Sequence, residues 1–228
     1  MPETKFDESH DELESKSLSE SYVELAKDIG VITPGKTLLL YGDSIVYRAS
    51  LFMVEELLKR TDSVALIDGA NRFDLYTLAR LAQIDGFAPP EILDRIYLSR
   101  VFTGYQMDAV LTNGVAPFLA LIRSRVVFVF GLLHTLFDDQ VPVREAQKSL
   151  LRIRSRFENM KQNGISIVLA SENLIPRQPE RKSLIKCMLD MADKLYVLDG
   201  NAAYPAERRV TSSHSGRQAI ARKASMRI

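Results

Sequence analysis

Six short apolar runs, separated by longer amphipathic stretches, set what this chain can fold into. The runs cover residues 37–41, 64–67, 96–101, 126–133, 165–170 and 195–198. They are rich in Val, Ile and Leu and do not alternate with polar residues. Strands of that kind are buried on both faces, as in a parallel sheet. The intervening segments carry a helical period over residues 45–60, 75–85, 91–94, 106–121, 143–163 and 184–192. Residues 45–60 repeat through Val46, Ser50, Met53, Val54 and Leu57. Residues 143–163 repeat through Ala146, Leu150, Ile153, Phe157 and Met160. Within 106–121, Asn113-Gly114 and Pro117 mark irregularities. Strand and helix alternating on this scale predict an α/β domain: a mostly parallel twisted sheet, helices on both faces, right-handed crossovers.

The chain has 228 residues, 46% of them hydrophobic, enough for one sizeable core. No interior linker or repeat divides it. Residues 21–213 are expected to be one core domain, opening with a short helix over 21–29. Residues 1–20 carry Glu3, Asp7, Glu8, Asp11, Glu12, Glu14 and Glu20 against Lys5 and Lys16. They read as an acidic, disordered segment. Residues 214–228 read as a basic, mobile tail. No apolar run approaches the roughly 20 residues that span a bilayer, and the first 20 residues lack a secretory h-region. No membrane partner is expected. Cys187 is the sole cysteine, which excludes an intrachain disulfide and fits a cytoplasmic protein. The three histidines are scattered and give no metal-ligand spacing. His134 and Cys187 read as structural core groups.

The first apolar run leads into Gly42 and then directly into a helical pattern. That is the context of a phosphate-binding loop, G-x-x-x-x-G-K-[ST]. Laid on Gly42, the pattern puts Tyr47 at the second Gly, Arg48 at the Lys and Ala49 at the hydroxyl residue. A bulky aromatic stands where the backbone wraps a phosphate, and a methyl stands where magnesium is bound. The alternative is an ordinary strand-turn-helix.

Segments between about residues 31 and 200 together resemble the RecA-like recombinase family, in its Rad/RadA branch. The resemblance lies in Val64-Ala65-Leu66-Ile67-Asp68 with Phe73, then Leu78-Ala79-Arg80-Leu81-Ala82, Leu93-Asp94-Arg95-Ile96, Arg100-Val101-Phe102 and Gln106-Met107. It implies a RecA-like, P-loop-type sheet and a history of ATP hydrolysis. It also shows what is gone. The family's water-polarising acid falls at Ala70. Its magnesium-holding acid falls at Gly131. Its γ-phosphate-sensing polar residue falls by Ser171-Glu172, where Glu172 adds a negative charge. Phosphoryl transfer depends on such groups for positioning and charge stabilisation. The expectation is a pseudo-ATPase with degenerate motifs, no catalytic residues and no metal site. Gly42 and Arg48 are its vestigial phosphate contacts, and no cofactor is required, with residual ATP binding left open.

By the same resemblance, DNA is contacted by loops after the fourth and fifth strands, here 137–144 and 172–183. Arg144, Lys148, Arg177, Arg181, Lys182, Arg208, Arg209, Arg217, Arg222 and Lys223 are the candidate DNA-binding residues. Arg144, Lys148, Arg152 and Arg156 also recur at helical spacing as a basic stripe. A strand over 208–213 is expected in a further hairpin. The functional expectation is a non-hydrolysing accessory protein in DNA recombination or repair that binds DNA, a RecA-like paralogue or itself. The alternatives are a weak ATPase and a protein-interaction regulator that has lost both ligands.

Overall fold

A computed structural model describes residues 32–60 and 63–198 and the backbone of residues 206–209. The expectations for segments 1–20, 21–29 and 214–228 lie outside the described residues.

Seven strands form one sheet in the order β3-β2-β4-β5-β1-β6-β7. They are β1 (Thr37–Gly42), β2 (Val64–Asp68), β3 (Ile96–Arg100), β4 (Val126–Phe130), β5 (Ser166–Glu172), β6 (Lys194–Leu198) and β7 (Ala206–Arg209). The first six are parallel, and β7 pairs antiparallel with β6. The six strands expected for the core are present. Of the C-terminal strand expected over 208–213, residues 208 and 209 belong to β7, which starts at Ala206, and residues 210–213 lie outside the described residues. The central strands β1, β2 and β4 are buried at every position, which is why their sequences show no alternation.

The helices are α1 (Ile45–Leu58), α2 (Leu75–Ile84), α3 (Pro89–Leu93), α4 (Gly104–Ala109), α5 (Val115–Leu121), α6 (Leu132–Leu136), α7 (Val143–Gln162) and α8 (Lys182–Met191). Helices α1, α2 and α3 pack with Leu38, Leu40, Leu66 and Phe128 on one face of the sheet. Helices α4 to α8 pack with Leu39, Ile67, Val129 and Leu169 on the other. The α/β prediction therefore holds at the level of class, parallelism and two helical layers.

Two local departures have identifiable causes. The fourth strand stops at Phe130 rather than 133, because Gly131 turns left-handed with φ 65° and Leu132 opens α6. Hydropathy continues unbroken through that turn, so the sequence hides it. Between α4 and α5 lies a π-turn, Val110–Gly114, in which the Val115 N–H donates to the Val110 carbonyl five residues back. Pro117 lacks the N–H that would meet the Asn113 carbonyl, and its ring crowds that carbonyl. The wider turn relieves the conflict, at the position where the sequence showed irregularity.

Candidate functional site

The topology marks one end of the sheet. Helix α1 leaves β1 on one face, and α8 leaves the neighbouring β5 on the other. Open parallel sheets bind ligands at such a switch point, outside the carboxyl ends of the strands. Here those ends bring together Gly42, Asp68, Gly131 and Glu172.

Gly42 closes β1 with φ 149°, and a Cβ there would lie 1.8 Å from the Leu198 carbonyl oxygen. Asp43 N–H donates to that same oxygen at 3.0 Å, and Asn173 N–H donates to the Gly42 carbonyl at 2.6 Å. The glycine is thus required by close approach of β6 and of the loop after β5. Only Asp43 and Ser44 separate it from α1, so residues 45–48 are already helical. Tyr47 N–H donates to the Ser44 carbonyl at 3.2 Å. Arg48 is exposed. Asp74 has its carboxyl held low mainly by the Thr77 hydroxyl and backbone, with a smaller contribution from the Arg48 charge.

Tyr47 is only 3% exposed and fills the space beside the turn. Its ring meets Phe130 at 5.4 Å and His134 at 6.3 Å between centroids. The Arg72 guanidinium lies over its face at 5.9 Å. Burial, with the Glu172 charge second, pushes the phenol pKa well above its usual value. The Glu172 carboxylate then ties three strand-end segments together. One oxygen lies 3.0 Å from Arg72 Nη2, and the other 3.4 Å from His134 Nε2. Burial lowers the His134 pKa, and Glu172 opposes that shift, so the imidazole favours its neutral form at neutral pH. Tyr41 joins the network by donating its hydroxyl to Asn173 Oδ1 at 2.7 Å, and burial raises its pKa to about 12.

The positions matched to the lost hydroxyl and the lost acids are closed as well as empty of those groups. Ala49 is buried in α1. A Cβ on Gly131 would lie 2.5 Å from the Ala70 Cβ, so strand end and loop exclude a side chain at 131. Asp68 accepts from the N–H groups of Ala70 (3.1 Å), Arg72 (3.1 Å) and Phe73 (2.9 Å). It is committed to holding its own turn. An incoming polyphosphate meets a packed aromatic and two carboxylates against one guanidinium.

The candidate DNA-binding residues separate into groups. Arg177 is 89% exposed and has a loose ion pair with Asp139 at 3.6 Å. Lys182 and Arg144 are exposed. Lys148 is exposed but paired with Glu145 at 2.9 Å. Arg181 differs from the sequence reading. It is 1% exposed, and its guanidinium donates to the carbonyls of Leu136, Asp138 and Val141 and to Gln178 Oε1. It pins the loop after β4 to the loop after β5 and presents nothing to an outside ligand. The basic stripe on α7 is also less charged than its spacing suggested, because Arg152 forms an ion pair with Asp108. The side chains of Arg208 and Arg209 and all of Arg217, Arg222 and Lys223 lie outside the described residues.

The sequence did not reveal a carboxylate cluster between α1 and the end of α2. Glu55, Glu56 and Asp85 converge within 4.8 Å of one another. Lys59 Nζ sits among them, 3.1 Å from Glu55, 2.6 Å from Glu56 and in contact with Asp85. An ammonium thus occupies the place a cation would take. The adjacent Glu55-Glu56 pair within an apolar helical run was the available signal.

No protein-family model matches the chain, and no curated protein matches it. No helix of the described residues is long and apolar enough to cross a membrane.

Proposed function

We propose that this protein is a RecA-like pseudo-ATPase, a non-hydrolysing accessory factor in DNA recombination or repair that works by binding DNA or a recombinase partner. The observation that carries the proposal is the strand-end cluster of Tyr47, Arg72, His134 and Glu172. It lies at the switch point of a parallel sheet, where α/β nucleotide-binding domains hold their ligand. An internal aromatic takes the place of the phosphate-wrapping backbone, and an internal carboxylate that of the phosphate. The same carboxylate bridges the segments after β2, β4 and β5, a task a bound phosphate would otherwise perform.

The exposed Arg144, Arg177 and Lys182 around the loops after β4 and β5 support DNA as the ligand. A second reading, a protein-interaction regulator that has lost both ligands, draws on the internal engagement of Arg181 and the pairing of Lys148 and Arg152. Paired titrations with labelled ATP and labelled single-stranded DNA, at low and at physiological salt, test the proposal. ATP turnover is expected to stay at the level of a buffer control, and DNA to bind with strong salt dependence. ATP turnover that disappears in Arg48→Ala would overturn the pseudo-ATPase reading. Absence of DNA binding at low salt would leave the protein-interaction reading.

A further inference from the structure

A second concave surface lies on the helical layer of α4 to α8. It is a groove of about 620 Å3 between the π-turn segment and α7. Tyr105, Asp108 and Asn113 line one wall, and Arg152, Arg156 and Asn159 the other. The π-turn that Pro117 imposes shapes the first wall, and single π-turns within helices recur at functional sites.

The chemistry of the walls is uneven in a useful way. Arg152 is spent on Asp108, with Ser149 as a further acceptor. Arg156 is not spent. No described residue accepts its buried Nε–H, and its Nη1 reaches Asn159 Oδ1 only at 3.5 Å. That Nε–H is closed to an incoming group, but Arg156 lines the groove, and a carboxylate can meet the part of its guanidinium that faces it. Asn113 and Asn159 are exposed, and each amide offers both a donor and an acceptor, the combination that pairs with a peptide backbone. Tyr105 is 59% exposed and adds an aromatic face at the groove's margin.

We infer that this groove docks an extended acidic peptide from a partner protein, with a carboxylate on Arg156 and a neighbouring apolar side chain on Tyr105. The match is one of charge and valence. A nucleic-acid backbone draws on several unengaged cations, whereas here a single guanidinium lacks a charged partner among the described residues and amides flank it. The inference holds whether or not the strand-end cluster excludes nucleotide.

The test uses the full chain and a fluorescein-labelled peptide of repeated Glu-Phe-Asp-Ser, read by anisotropy. Binding is expected, and Arg156→Ala and Tyr105→Ala should each weaken it about tenfold, the effect of removing one charge-assisted hydrogen bond or one aromatic anchor. Asn159→Asp, which sets a like charge beside the peptide carboxylate, should weaken it further while leaving circular dichroism unchanged. Arg80→Ala, exposed on α2 on the other face of the sheet, should have no effect. Added peptide should also slow amide exchange in residues 105–113 and 155–159. No binding at low salt, or binding indifferent to Arg156 and Tyr105, overturns the inference. So does a labelled oligo-dT that binds in place of the peptide and loses affinity in Arg156→Ala, which would make the groove a nucleic-acid surface.

Discussion

Residue type and residue role part company most clearly at Arg181. In the sequence it stands in a basic, proline-rich loop with Arg177 and Lys182, the composition of a phosphate-binding surface. In the structure its planar fork of donors satisfies three carbonyls in the loop after β4. Unsatisfied buried carbonyls cost about 1–3 kcal/mol each. Arg181→Ala should therefore destabilise the domain by about 3 kcal/mol or more, read as a fall in the urea midpoint. A loss of DNA binding in that variant would report unfolding rather than a missing contact. Gly131 makes the complementary point. Its φ is left-handed, and a Cβ at this position would approach the Ala70 Cβ to 2.5 Å, which leaves no room for a side chain. Restoring the acid as Gly131→Asp should cost about 2 kcal/mol, since the left-handed region alone costs an ordinary residue about 1–2 kcal/mol. Thermal melts with an ATP turnover assay will check both halves of this expectation: lower stability and no hydrolysis.

At the scale of elements, α1 carries the most informative conflict. It is buried at nearly every position, and Glu55 is buried with the rest beside Lys59, Glu56 and Asp85. Burial raises the Glu55 pKa from 4.5 to about 7, and the Lys59 contacts only partly oppose it. A carboxyl whose folded pKa is raised binds its proton more tightly in the native state. Its contribution to stability is full below pH 4.5 and is lost as pH rises through about 7. In Glu55→Gln that loss should vanish, so the urea midpoints at pH 5 and pH 8 should differ less than in the parent chain. An unchanged difference would show that another group sets the slope. The elements themselves were largely legible in the sequence. Strands buried on both faces read as unbroken apolar runs, and α7 read from Ala146 to Met160 as one core stripe. What escaped was whatever depends on partners distant in sequence. The end of β4 was hidden because Leu132 and Leu133 continue the apolar run into α6. Of the site, Tyr47 stood out as a misfit in a phosphate-loop pattern, and Glu172 as a negative charge at the end of the fifth strand. The coupling of Glu172 to His134 and Arg72 did not, since three different strand ends supply it. The burial of Arg181 depends on carbonyls some 40 positions away, and nothing local announces it.

At the scale of the whole molecule, the proposed DNA contact belongs to the carboxyl end of the sheet. Arg144 opens α7, while Arg177 and Lys182 flank the loop after β5. All three are exposed, and only Arg177 has a described ion pair, a loose one to Asp139. Cations of this kind act by releasing condensed counterions, so they add affinity without reading sequence. Replacing the three by Ala should weaken binding to unrelated single-stranded sequences equally. Removing one phosphate-bound cation should reduce the slope of log affinity against log salt by about 0.7 for a single strand, and removing all three by about 2. Stability should change by no more than about 0.5 kcal/mol, because none of the three supports the core. Arg181 is left intact in this variant so that folding and binding stay separable. Deleting residues 214–228, which removes Arg217, Arg222, Lys223 and Arg227, should act in the same direction and add to the loss. A salt slope unmoved by both changes would mean that the carboxyl end does not carry DNA. The exposed cations there would then be a solvated rim, and the accessory role would rest on protein contacts alone.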